Sequence, residues 1–212
     1  LDDIVGASQR AGKFCQQMLA YAGQSSLQDS RFEIGELLSE LGQLVQAAIP
    51  KKTSLEYDLP TESVYIQGDE NQVLQVILNL VTNAAKFTSD GRITVRVSGH
   101  EETVRVDVVD DGVGIAEEAM ATLFDRFTQV DDSSTKVFGG TGLGLALSRD
   151  LARRMGGELF AKSLHGEGST FTLLMPIDAE STAHLRAAAE TSSDESSPME
   201  GPTLRIVEAA GA

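Results

Sequence analysis

Two hydrophobic rhythms alternate along this chain. Residues 1 to 22 carry Leu1, Ile4, Ser8, Ala11, Cys15, Met18 and Ala22 at spacings of three and four, a seam that predicts one long helix. A single helix with such a seam wants a partner helix. The polar break GQSSLQDS (23–30) separates it from a second helix predicted over 33–49. That helix has Ile34, Leu37, Leu38, Leu41, Leu44, Val45 and Ala48 on its apolar face and is closed by Pro50. The period then changes to two. SLEYDL (54–59) and VYIQG (64–68) read as strands. Asp69 follows as a helix cap, with Gln72 three residues on in the capping-box position, and the helix runs to about Phe87.

The second half repeats the mixture. RITVRVSG (92–99) and TVRVDVVDD (103–111) alternate cleanly around a short polar turn and predict a hairpin. Short helical stretches are expected between 116 and 127, and TQVDDSSTKVFGG (128–140) reads as a mobile loop. A helix is predicted over 142–155, ended by Gly156 and Gly157, and ELFAKS (158–163) and STFTLLMPI (169–177) form a last hairpin. Adjacent hairpins mixed with helices predict an α/β two-layer sandwich, a mixed sheet covered on one face by helices, preceded by a single long helix. A doubly wound parallel sheet does not fit this order. The domain is expected over 30–178, followed by an acidic linker (179–202) and a tail (203–212) that opens on the strand-like TLRIV.

Charge and composition narrow the partners. The 212 residues are 41% hydrophobic, enough for one domain with extensions, and their net charge is −15. Such a surface repels phosphate backbones, so nucleic acid is not expected as a partner, and any bound polyanion must be held by a local site. One cysteine suits a reducing compartment. No apolar run is long enough to span a bilayer, and no signal peptide opens the chain. A cytoplasmic location is expected, including that of the cytoplasmic part of a membrane-bound protein. The abrupt start without Met suggests a piece of a longer protein.

Three stretches carry candidate chemistry. On the helix 69–87, Asn79, Asn83 and Lys86 share one face, with Leu74, Ile77, Leu78, Val81 and Ala85 largely on another. Asparagine is a modest helix former, so two in mid-helix need a reason. An amide oxygen can ligate Mg²⁺ and a lysine can meet a phosphate; the alternative is a solvated polar face. DDGVGI (110–115) ends a strand on a carboxylate followed by two glycines, which let backbone pass close to a ligand. An Asp there can accept from an exocyclic amine, as adenine offers; the alternative is a plain Asp-Gly turn. In GGTGLGLALS (139–148) the glycines crowd before a helix N-terminus, where free N–H groups and the helix dipole favour an anion. The pattern is neither a P-loop nor a dinucleotide-binding fingerprint.

The order and spacing of these pieces resemble a known family. NQVLQVILNLVTNAAKFT, DDGVGI, LFDRFTQVD and GGTGLGLALS are similar to the N, G1, F and G2 boxes of sensor histidine kinases. These belong to the wider Bergerat-fold, or GHKL, ATPases that include gyrase, Hsp90 and MutL. The resemblance covers roughly residues 31–177. It implies ATP and Mg²⁺ as cofactors, with Asn83 on Mg²⁺, Asn79 assisting and Lys86 reaching the phosphates. Asp110 would accept from adenine N6, with Gly112 and Gly114 admitting the ring; Asp111 stands where the family often has Asn. Phe124 and Phe127 would anchor the base of the ATP lid. Gln129 falls where some members carry Arg, and Lys136 is an alternative source of charge. Gly139 and Gly140 would form the lid hinge. Gly140, Gly142 and Gly144 would present amides to the phosphates, with Thr141, Leu143 and Leu145 in the same stretch, and Thr170 would line the adenine pocket.

The same resemblance makes residues 1–23 the second helix of a dimerisation and phosphotransfer hairpin. The first helix, with its phosphoacceptor histidine, is absent. His100, His165 and His184 are poor substitutes, two in turns and one in the tail. The partners implied are a histidine-bearing helix, a homodimer in the full-length protein, and a response regulator or a receiver domain; the tail TLRIVEAAGA resembles the start of a receiver domain. The function implied is transfer of the ATP γ-phosphoryl group to a histidine outside this chain, for relay to an aspartate. The alternatives are an ATP-sensing pseudokinase scaffold, a hydrolysing switch of the MutL or Hsp90 kind, and an anti-sigma-type serine kinase. Hydrolysing members carry a Glu base where this chain has Asn79, and an amide cannot take a proton from water.

Overall fold

A computed structural model describes residues 29–45, 48–100, 103–128 and 141–177 and the backbone of 204–208. The predicted helix 1–22, the linker 179–202 and most of the loop 128–140 lie outside the described residues.

The chain forms β1 (Ser30–Glu33), α1 (Ile34–Val45), β2 (Thr53–Leu59), β3 (Tyr65–Gly68) and α2 (Glu70–Phe87), then the hairpin β4 (Gly91–His100) and β5 (Thr103–Asp110). One turn, α3 (Glu117–Met120), is followed by α4 (Gly144–Arg154), the hairpin β6 (Glu158–Leu164) and β7 (Gly168–Pro176), and β8 (Leu204–Glu208). Six strands make one sheet in the order β6-β7-β5-β4-β2-β8, while β1 and β3 pair separately. Only β2 and β4 run parallel in that sheet. A parallel neighbour requires a crossover, and α2 supplies it, so α2 lies on the sheet.

Strand alternation decides which face it covers. Val104, Val106 and Val108 of β5 are buried, and their cross-strand partners Met175, Leu173 and Phe171 on β7 are buried with them. These side chains form one core with Val73, Val76, Ile77, Leu80 and Val81 of α2, with Leu37, Leu38 and Leu41 of α1, and with Leu151 of α4. Fully burying one such side chain stabilises by about 1.5–3 kcal/mol. The other face is polar, as an antiparallel sheet covered on one side allows. It carries ion pairs of Arg92 with Glu56 (3.3 Å) and of Arg96 with Asp58 (2.7 Å). Arg105 meets Asp107 at 2.7 Å, and the Thr172 hydroxyl donates to the same carboxylate.

Several boundaries differ from the sequence reading. Residues 30–33 are a strand, because Phe32 pairs with Ile66 of β3 and is buried there. Of the helix expected over 33–49, Ile34–Val45 is described as helix, and Leu44 and Ala48 are exposed rather than apolar contacts. On α2 the buried stripe includes Val73, Val76, Leu80 and Ala84, while Leu74 and Leu78 are half-buried. Asp69 does cap α2, accepting from the Gln72 N–H at 3.1 Å; the Gln72 amide returns to the Asp69 carboxylate rather than to its backbone. Only one helical turn forms between 116 and 127. The helix expected from 142 begins at Gly144, because Gly142 has φ +66° and cannot continue a right-handed helix. β8 lies antiparallel on the β2 edge, with Arg205 at the register position opposite Asp58. No described helix is long and apolar enough to cross a membrane.

Candidate nucleotide site

Three elements converge on one end of the sheet: the middle and C-terminal turns of α2, the end of β5 with the loop after it, and the N-terminus of α4. Asp110, the last residue of β5, is only 4% exposed. Its position follows from register. It continues the inward row Val104, Val106, Val108, so the alternation that builds the core ends on a carboxylate. Burial is the main force raising its pKa above the ordinary Asp value; the Gly112 N–H and the N–H and hydroxyl of Ser169 partly offset it. The Gly112 N–H donates to Asp110 Oδ1 at 2.9 Å. A Cβ on Gly112 would stand 2.6 Å from that oxygen and 2.6 Å from the Phe87 carbonyl, so only glycine lets this loop lie against α2. The loop is tied down further by Val113 N–H to Phe87 O (3.3 Å) and Gly166 N–H to Val113 O (2.8 Å). Gly114 has a positive φ beside Leu164.

α2 and α4 meet through Asn79. Its amide nitrogen donates to Ser148 Oγ at 2.9 Å, and a Cβ on Gly144 would stand 2.6 Å from its amide oxygen. Asn79 thus clamps the start of α4 to α2, and the small Gly144 permits the contact. Asn83 is half-buried one turn further along α2, and among the described residues its side-chain amide has no hydrogen-bond partner. Lys86, a turn beyond, holds its ammonium 4.7 Å from the centre of the Phe87 ring. At the N-terminus of α4 the cap residue is Leu143, whose side chain makes no cap hydrogen bond, and the first turn carries no acid. Its free N–H groups therefore favour an anion by about 0.3–1 kcal/mol from the dipole alone. The Leu143 N–H makes a long contact, 3.4 Å, with Thr141 Oγ1. Leu145 is half-buried against the core.

The residues on either side of 129–140 meet through backbone. The Phe127 N–H donates to the Gly142 carbonyl at 2.9 Å. Phe124 is partly buried against the core, with the Arg149 guanidinium 4.7 Å over its ring. Phe127, expected with Phe124 at the base of the lid, is 73% exposed and has φ +65°, so its backbone rather than its ring makes the link to Gly142. Gln129, Lys136 and Gly140 lie outside the described residues.

The register moves one expectation by a residue. Thr170 stands opposite Val109, on the sheet face away from the helices. Ser169 stands opposite Asp110 and is buried beside it. Two more residues escaped the sequence reading. Thr88, the C-cap of α2, is 1% exposed, and its hydroxyl is unpaired among the described residues and next to Gly112. Ser163 on β6 pairs with Ser169 in register. The usable signal was parity: Ser169 shares the inward positions of Phe171, Leu173 and Met175.

Residues 68–179 match the family described as histidine kinase-, DNA gyrase B- and HSP90-like ATPases, which is more than half of the chain. The chain belongs to this family. Its match spans α2 to β7, the elements that build the site. Among curated relatives, the peroxide stress-activated histidine kinase mak2 of Schizosaccharomyces pombe is 35% identical over 154 residues, 68% of this chain and 7% of its own. The chain spans about a third or less of the length of the curated relatives it matches. Two solved structures share the fold. The catalytic domain of histidine kinase ThkA, 27% identical, superposes with a TM-score of 0.62 over 73% of this chain and 99% of that domain. Full-length ShkA in complex with AMPPNP, also 27% identical, gives 0.69 over 83% of this chain and 38% of that protein.

Proposed function

We propose that this chain is the Mg·ATP-binding catalytic part of a two-component sensor histidine kinase, which transfers the γ-phosphoryl group to a histidine on a separate dimerisation helix for relay to a response regulator. The observation that carries the reading is Asp110: a buried carboxylate at a strand end, oriented by the Gly112 N–H, with the glycine loop after it packed close against α2. Such a group accepts from the amine at C6 of adenine, where guanine carries a carbonyl oxygen. The open first turn of α4 receives the phosphates. Lys86 meets them as a point charge. Asn83, with Asn79 beside it, would hold Mg²⁺, whose charge offsets that developing on the transferred phosphoryl group. The unpartnered Asn83 amide suits an oxygen ligand; Asn79 already spends its amide nitrogen on Ser148. AMPPNP in ShkA and a response regulator bound to ThkA support the same reading.

Asn79 also argues against a hydrolysing switch. A carboxylate at that place would activate water, whereas this amide donates to Ser148. Titration of a fluorescent ATP analogue with Mg²⁺ tests the proposal. Asp110→Asn is expected to weaken binding at least tenfold, as the loss of a charge-assisted hydrogen bond of about 1.5–3 kcal/mol predicts. Unchanged affinity would refute the adenine assignment.

A further inference from the structure

The row that ends the apolar sheet face is polar across three strands. Asp110 on β5 pairs with Ser169 on β7, and Ser169 pairs with Ser163 on β6. The next rows inward are Val108, Phe171 and Ala161, then Val106, Leu173 and Leu159. Hydrophobic burial explains those rows but not the serines. Ser163 lies furthest from the carboxylate, yet it has the most contacts. Its hydroxyl stands 2.8 Å from the Gly168 carbonyl and 3.0 Å from Ser169 Oγ, and it accepts the Ile115 N–H at 2.8 Å. Ile115 closes the glycine loop that follows Asp110.

A hydroxyl has one proton. If Ser163 gives its proton to Gly168 O, Ser169 must donate to Ser163 and has none left for Asp110. If Ser163 donates to Ser169, the Ser169 proton is free to face the carboxylate. A negative Asp110 favours the second arrangement. In that arrangement donation runs from the Ile115 N–H to Ser163 and from Ser163 to Ser169, the residue that stands opposite Asp110 in register.

We infer that Ser163 is a positioning residue for adenine recognition: it ties the 112–115 loop to Ser169 and so holds the Asp110 carboxylate in the orientation that accepts from the exocyclic amine. This rests on the Asp110 reading above. It predicts an effect confined to ligands that carry the amine.

The experiment compares ATP with purine riboside triphosphate, which lacks the amine, in Mg²⁺ titrations of the whole chain. The wild type is expected to prefer ATP at least tenfold. Ser163→Ala is expected to weaken ATP severalfold and leave the analogue unchanged, and Ser163→Thr, which keeps the hydroxyl, to restore the preference. Equal weakening of both ligands, or no change in either, overturns the role of Ser163 while leaving Asp110 in place. A wild type that does not discriminate overturns the Asp110 reading and this inference with it. Should Ser163→Ala fail to fold, Ser169→Ala interrupts the same path one link on and is held to the same outcomes.

Discussion

Asp110 is costly to the folded domain and, on the proposed function, accepts from the ligand; the two effects separate with pH. Its pKa is raised by burial, so between the ordinary Asp value and the raised one the folded state holds a proton that the unfolded chain has released. Stability therefore falls as pH rises through that window, and above it the cost of the buried charge is fully present. Asp110→Asn should melt above the wild type at neutral pH, with the difference shrinking as the pH drops below the window; thermal denaturation at several pH values measures this. Nucleotide affinity has the opposite sense. Only the ionised form accepts strongly from the amine, so ATP binding should weaken on acidification, starting above the ordinary Asp range. A pH-independent affinity down to that range would contradict the assignment. Asp110 was legible in the sequence because DDGVGI is contiguous. Ser169 and Ser163 were not, because their role depends on pairing across β5, β7 and β6, and a shift of one residue places Thr170 on the opposite face.

At the scale of elements, the site is a junction of two helices and a loop held by small residues. α2 is fixed by its buried stripe, and α4 is fixed to α2 by Asn79 and Ser148. Gly142 and Gly144 serve this junction differently. Gly142 sits in the left-handed region, and a Cβ there would stand 2.7 Å from the Phe127 carbonyl carbon. Gly142→Ala should destabilise the domain by more than about 1 kcal/mol, read as a lower denaturant midpoint. Gly144 lies within the helix, where alanine is the better helix former by up to about 1 kcal/mol. Its Cβ would instead press on the Asn79 amide. Gly144→Ala should therefore keep stability within about 1 kcal/mol while weakening nucleotide binding, as denaturation and titration of the same variant would record. The glycine cluster itself was plain in the sequence. The start of α4 was not, since the backbone angle of Gly142 depends on the Phe127 N–H that meets its carbonyl.

For the whole molecule, a net charge of −15 opposes the approach of a nucleotide polyanion. On the proposed function the attraction is local, from Lys86 and the α4 N-terminus, because charges further off than a Debye length, about 10 Å at 0.1 M salt, are screened. Phosphoryl transfer further needs a nucleophile placed in line with the γ-phosphate. His165 is exposed in the β6–β7 turn, on a strand pair whose end-row residues Ser169 and Ser163 lie in register with Asp110, which on the proposed function is the base-binding end of the site. When a separate protein carrying a phosphoacceptor histidine helix is added with labelled Mg·ATP, label should appear on that helix and not on His165. Asp110→Asn should reduce the labelling at subsaturating ATP. Tight ATP binding with no transfer would favour an ATP-sensing scaffold instead.

The linear sequence determined the α/β class, the capped helix with its two asparagines, both hairpins and the order of the four boxes. Each of these rests on local periodicity or on residues adjacent in the chain, and local sterics and alternation act over a few residues. The tertiary structure alone decided the sheet order, the strand β1 and the polar row from Asp110 to Ser163. Those depend on which strands lie side by side, and pairing register couples residues far apart in the chain, 59 positions for Asp110 and Ser169. It also decided that Phe127 presents its backbone rather than its ring to the site, because burial is a property of the assembled surface.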